Sequence, residues 1–231
     1  MRIADLNWMQ VEAYLERDDR IVLPVGSTEQ HGYLSLAVDV ILAERVSVEA
    51  AESLGVPVLP VMPFGVAPGF TAYPGTVSLR LETLVAVLTE ALDSLYGQGF
   101  RRFLVVNGHG GNTGAEEPLV AWAAGRDGAH LRFHSWWASE RTLAAAQAAY
   151  PNPSHANWFE NFPWTRLAGV AMPAGEKPMA AIDEDRGNPT RIREILGDGT
   201  FGGAYERPDE EMLRLWSVAV EEVRELLESG W

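Results

Sequence analysis

The chain contains no cysteine. This excludes disulfides and every thiolate metal site, so a metal would have to be held by oxygen and imidazole ligands, the donors that suit zinc, manganese, iron or magnesium. Basic residues are scarce: 18 Lys and Arg stand against 32 Asp and Glu, for a net charge of −14. A surface that acidic repels phosphate backbones and argues against nucleic-acid binding. No stretch reaches the roughly 20 apolar residues of a membrane span. The opening Met-Arg-Ile-Ala-Asp-Leu lacks the apolar centre of a secretion signal. A cytoplasmic protein that makes no membrane contact is the expectation. Repeats and low-complexity linkers are missing as well, so residues 1–231 are expected to form one domain.

What is present reads as alternating strands and helices. Ile21–Val25, Val56–Met62, Phe103–Val106 and His130–Trp136 are short runs rich in apolar or β-branched residues and read as strands. Between them, Asp39–Leu54 predicts a helix ended by Gly55, and Leu81, Leu84, Val85, Leu88, Leu92 and Leu95 recur at helical spacing. After the third strand, Asn112 or Thr113 reads as a helix cap, with Thr113 and Glu116 fitting a capping box. Pro208 and the acidic Asp209, Glu210 and Glu211 open a last helix, with Met212, Leu215, Trp216, Val220, Val223 and Leu227 as its buried stripe. This alternation predicts an α/β fold, a mostly parallel central sheet with helices on both faces. Functional sites in such folds gather where strands end.

The polar clusters lie in those places. Directly after the first strand comes Gly26-Ser27-Thr28-Glu29-Gln30-His31-Gly32. In extended backbone Glu29 and His31 point to one side, a carboxylate beside an imidazole, although a polar loop with an incidental His reads the same way. Asp39, eight residues further on, taken alone reads as a helix N-cap. Asn107-Gly108-His109-Gly110-Gly111-Asn112 places one His among three glycines that let the backbone turn sharply. The spacing is not that of a nucleotide fingerprint. His155 and Glu160, in Ser154-His155-Ala156-Asn157-Trp158-Phe159-Glu160, are weaker candidates.

Taken together these segments resemble the creatininase family of metal-dependent amidohydrolases. The resemblance rests on Leu-Pro-Val-Gly-Ser-Thr-Glu-Gln-His-Gly at 23–32, Asp39, Tyr-Pro-Gly-Thr at 73–76 and Asn-Gly-His-Gly-Gly-Asn at 107–112. It implies a three-layer α/β/α sandwich, a homo-oligomer with a hexamer favoured, and two divalent metals per chain, zinc, manganese or iron. One metal would sit on Glu29, Asp39 and His109, the second on His31, Asp39 and Glu160, with His155 handling protons at the scissile bond. Trp158 and Tyr73 are expected to contact substrate, and Trp136, Trp137 and Trp164 could help close over a small ring. The stretch from His31 to Asp39 is one residue shorter than the family's pattern. Ala67, Gly69 and Phe70 stand where the family carries polar residues, which argues against creatinine itself as substrate. The function implied is hydrolysis of a small cyclic amide by a metal-activated water. The alternatives are hydrolytic C–C cleavage of a cyclic diketone and a non-catalytic metal- or ligand-binding subunit.

Overall fold

The computed structural model describes residues 1–182 and 187–231. Its centre is a parallel sheet of β1 (Arg20–Val25), β2 (Arg102–Asn107) and β3 (His130–Ser135), in that order. Leu23 pairs with Val105, which pairs with Phe133. β1 and β2 are buried along almost their whole length, as strands covered on both faces must be. Period-two alternation sorts their side chains. Val22, Leu104 and Val106 pack on one side with α2 (Val38–Glu52), α5 (Glu140–Ala149) and α7 (Asp209–Glu228). Ile21, Leu23, Val25, Phe103 and Val105 pack on the other with α1 (Trp8–Leu15), α3 (Leu81–Gln98) and α4 (Glu116–Ala124). Two apolar cores, one on each face of one sheet, make the expected three-layer α/β sandwich.

The segment expected as a strand at 56–62 follows β1 only through isolated parallel bridges, Val22 to Val58 and Val25 to Met62. Pro57, Pro60 and Pro63 remove the amides that a continuous ladder would use. A third apolar cluster joins Ile182 to Ile192 and Leu196 of α6 (Pro189–Leu196), with Phe70, Tyr73 and Phe201 packed on it. It lies beside the C-terminal ends of β1 and β2. A two-stranded ribbon, β4 (Glu176–Lys177) with β5 (Gly203–Ala204), holds the segments flanking α6 together.

The capping box expected after β2 is not formed. Residues Gly110–Ala115 make a 3-10 turn, and α4 begins at Glu116 with no side-chain cap. Asn112 instead ties three loops together. Its Nδ2 donates to the carbonyl of Gly26 and to Asn107 Oδ1, and its Oδ1 accepts from Val66 N–H.

Candidate metal centre

The donors reach the site from the ends of β1 and β2, from the first turn of α2 and from a later irregular segment. Glu29 and His31 come from the loop after β1, and His109 from the turn after β2, where Asn107 Oδ1 accepts the His109 N–H at 3.0 Å. Asp39 comes from the first turn of α2. The helix N-cap is Ala37, and the Asp39 carboxylate turns inward without capping anything. His155 and Glu160 come from the irregular segment before and within the 3-10 turn Trp158–Glu160. The Ala156 N–H, presented by a left-handed backbone with φ of 58°, donates to Glu160 Oε2 at 2.6 Å.

These side chains form three donor triplets: Glu29–Asp39–His109 and His31–Asp39–Glu160, which share Asp39, and Glu29–His31–His155. His109 Nδ1 lies 3.0 Å from Asp39 Oδ2 and 3.2 Å from Glu29 Oε1. His31 Nε2 lies 3.1 Å from Asp39 Oδ1 and 3.7 Å from Glu160 Oε2. Glu29, His31 and Asp39 are all but inaccessible, at 0%, 0% and 2% exposure.

The residues fit a bound cation. Glu29 Oε1 and Asp39 Oδ2 are buried and have no hydrogen-bond partner among the described residues, a costly condition for carboxylate oxygens unless a cation lies between them. The imidazoles are oriented to match. His109 Nε2 meets the Val66 carbonyl at 3.0 Å and His31 Nδ1 meets the Glu29 carbonyl at 3.2 Å. A carbonyl only accepts, so each of these ring nitrogens carries the proton. The other nitrogen of each ring then turns toward the carboxylates, the arrangement that fixes metal-ligating histidines.

The electrostatics agree. Burial works against charge on His31, yet Asp39 and Glu160 hold its pKa up at about 10. His109 is likewise raised well above its ordinary value against burial, by Glu29 and Asp39. Asp39 is pulled below the usual carboxylate range, in spite of burial, by both histidines. Burial, aided by Asp39 and opposed by His31, pushes Glu160 up to about 7. Burial also raises Glu29.

His155 is different. Its ring stacks on Phe70, with centroids 4.8 Å apart and planes 12° apart, and touches Phe201 at 4.9 Å. Its Nε2 is within reach of the Gln30 carbonyl, 3.1 Å away, and the Gln30 side-chain amide, 2.8 Å away. Burial, with His31 beside it, holds its pKa well below the usual value and favours the uncharged ring. Its Nδ1 lies 3.8 Å from Glu29 Oε1.

A cavity of about 520 Å³ opens over this cluster, with Glu29, Asp39, His109, His155 and Glu160 in its lining. Two expectations need correction. Trp158 is core: it is 1% exposed, packs in the cluster around α2 and α7, and donates its Nε1 to the Pro151 carbonyl at 3.1 Å. Among the described residues Tyr73 lies outside the cavity lining, edge-on to Phe70 at 6.5 Å, and its buried hydroxyl finds no hydrogen-bond partner. Of the other tryptophans, only Trp137 lines the cavity; Trp136 is core, and Trp164 stacks on Phe162 under Arg45. The residues missed from the sequence are Gln30, which lies inside the motif already singled out, and Phe201, which has no polar signature. Ala67, Gly69 and Phe70 do line the cavity, as the less polar wall requires.

A family model described as creatinine amidohydrolase matches residues 4–227. Among curated relatives, a creatinine amidohydrolase of Pseudomonas putida is 34% identical over 114 residues, 46% of this chain and 44% of that protein. A mycofactocin precursor peptide peptidase of Mycolicibacterium smegmatis is 37% identical over 112 residues, 44% of this chain and 43% of that protein. A 3-dehydro-scyllo-inosose hydrolase of Thermotoga maritima is 32% identical over 103 residues, 44% of this chain and 33% of that protein. These alignments thus span less than half of each relative's length. The likeness of fold extends over nearly the whole chain: a solved creatinine amidohydrolase superposes with a TM-score of 0.80 at 26% identity, over 98% of this chain and 96% of that one. A structure described as creatininase Mn gives 0.80 at 25% identity, over 98% and 97%. Because the match runs through every strand and helix that presents a donor, the chain belongs to the creatininase family.

Proposed function

We propose that the protein is a metal-dependent amidohydrolase that opens a non-peptide C–N bond in a small cyclic substrate. The observation that carries this reading is the pair of buried donor triplets joined through Asp39 on the wall of a cavity, with a neutral His155 beside them. Glu29, Asp39 and His109 would hold one divalent ion and His31, Asp39 and Glu160 a second; zinc, manganese and iron all suit these donors. Ions bound there would acidify a water and polarise the substrate carbonyl.

The remaining work falls to the protein. His155 faces the donors through Nδ1 while Gln30 holds its Nε2. A neutral imidazole so placed takes a proton from the attacking water at Nδ1 and returns it to the departing nitrogen, so that water is added across the C–N bond. Phe70 and Phe201 fix the ring plane and exclude solvent from it. A cavity of about 520 Å³ suits a small molecule.

A second reading, hydrolytic C–C cleavage of a cyclic diketone, has the inosose hydrolase relative in its favour. The largely apolar cavity wall counts against a polyhydroxylated ring. The deciding experiment loads the purified protein with zinc or manganese and screens it against cyclic amides, lactones and cyclic ketones. Turnover of a cyclic amide that stops on chelation is expected. A protein that takes up no metal on reconstitution would overturn the reading.

A further inference from the structure

The donor cluster accounts for one end of the cavity and leaves the rest of its surface without a role. Away from the donors the wall is built from Ala67, Phe70, Trp137, Leu143, Ile182 and Ile192, closed by Phe201. Among the described residues no lysine or arginine lines it, and outside the donors Ser154 supplies the only hydroxyl. The carboxylates among the described lining residues all belong to the donor cluster. Among the described residues a substrate carboxylate or phosphate would therefore meet no protein cation, and an ammonium or guanidinium would meet only carboxylates already shared with the imidazoles. A hydroxylated ring would give up its water mostly for carbon, since outside the donors the described lining offers its hydroxyls only Ser154 Oγ and Trp137 Nε1 as polar side-chain partners.

Apolar walls of this kind are also unusually well supported. Phe70 and Phe201 lie 6.1 Å apart with His155 against both. Ile182 and Ile192 back onto Leu196 in the third apolar cluster, which belongs to neither main core. Ile192 is 2% exposed and Ile182 6%, so these chains are fixed in place before any ligand arrives.

We propose that the substrate carries a neutral, apolar substituent of phenyl or branched-alkyl size next to the scissile C–N bond, and that Phe70, Ile182, Ile192 and Phe201 form its subsite. The proposal rests on the hydrolase reading, because the metal centre sets where the reacting carbonyl lies. The subsite then takes the group projecting from it, and burial of that group against carbon supplies selectivity without a charged contact.

The test uses hydroxamates, which chelate hydrolytic metals and leave their substituent to report on the wall. Titration calorimetry on the zinc- or manganese-loaded protein compares acetohydroxamate, benzohydroxamate and 4-carboxybenzohydroxamate. Benzohydroxamate should bind at least about tenfold more tightly than acetohydroxamate, and the added carboxylate should erase that gain. In Ile192→Ala the phenyl advantage should shrink several-fold while acetohydroxamate affinity stays as in the parent. Equal affinity for the methyl and phenyl probes in the unsubstituted protein overturns the subsite alone, and that comparison needs no variant to fold. Failure of every hydroxamate to bind the metal-loaded protein overturns the hydrolase reading and the subsite with it.

Discussion

Asp39 meets two demands at once. Its Oδ1 faces His31 and its Oδ2 faces His109, and two of the three donor triplets include it. If Glu29–Asp39–His109 and His31–Asp39–Glu160 each hold an ion, removing Asp39 disturbs both, whereas Glu29 and His31 then serve one ion each. Asp39→Ala should therefore lose more bound metal than Glu29→Ala or His31→Ala, by elemental analysis after identical reconstitution. Equal metal content in the three variants would reduce Asp39 to a single-ion ligand. His155 should behave in the opposite way. It lies outside both triplets that contain Asp39, although it forms a third with Glu29 and His31, and its Nε2 is held by Gln30. His155→Ala should keep near-parental metal content and lose about 10²–10⁴-fold in turnover, the usual size of a proton-transfer contribution. The loss should fall on kcat more than KM, since proton transfer acts in the transition state. Loss of metal in that variant would make His155 a ligand. These polar residues were legible because a carboxylate, an imidazole and glycines at strand ends leave a pattern in the sequence. Trp158 packs in the core and Tyr73 lies beside Phe70 outside the described cavity lining; an aromatic ring suits a core as well as a pocket, and only packing decides between them.

The elements meet more closely at this site than their sequence discloses. A Cβ on Gly108 would lie 2.5 Å from the Asp39 carbonyl, and one on Gly26 would lie 2.6 Å from the Val40 nitrogen. The ends of β1 and β2 thus press directly on the first turn of α2, and this contact aims Asp39 between the two histidines. Backbone cannot yield as a flexible side chain does. Gly108→Ala should push the first turn of α2 away, lowering metal affinity and costing about 1–3 kcal/mol of stability, the range for overpacking. Thermal unfolding with and without metal measures both effects. An alanine variant with parental metal content and melting temperature would show that the turn can shift freely. β1, β2, β3 and the long helices were readable because their apolar periods are undisturbed. The 56–62 segment was not, since Pro57 and Pro60 break its ladder while its apolar residues keep a strand's appearance. The expected cap at Thr113 failed for a different reason: the site takes Asn112 to join three loops, and a 3-10 turn absorbs the change in direction.

At the scale of the whole molecule, charge and exposed carbon pull in different directions. A net charge of −14 keeps copies apart at long range, and among the described residues no helix is long and apolar enough to cross a membrane. The surface nevertheless exposes large apolar side chains. Trp8 is 71% exposed and Met9 53%, both at the start of α1. Leu36, Phe64 and Val77 are 41%, 40% and 41% exposed, and they are close together in the fold because Thr28 bridges to Val77 and donates to the Pro63 carbonyl, while Leu36 packs at Gly75. A tryptophan exposed to that degree makes little contact within its own chain, and burying it against another copy would offset the charge repulsion at short range. We propose that the chain forms a homo-oligomer, a hexamer by kinship with its family. Repulsion between acidic copies is screened by salt while apolar burial is not, so the assembly should persist or strengthen as ionic strength rises. Light scattering at micromolar concentration should give a mass several times 25.3 kDa. Trp8→Ser should weaken the assembly if α1 lies in an interface, and a particle of single-chain mass at both low and high salt would refute the proposal.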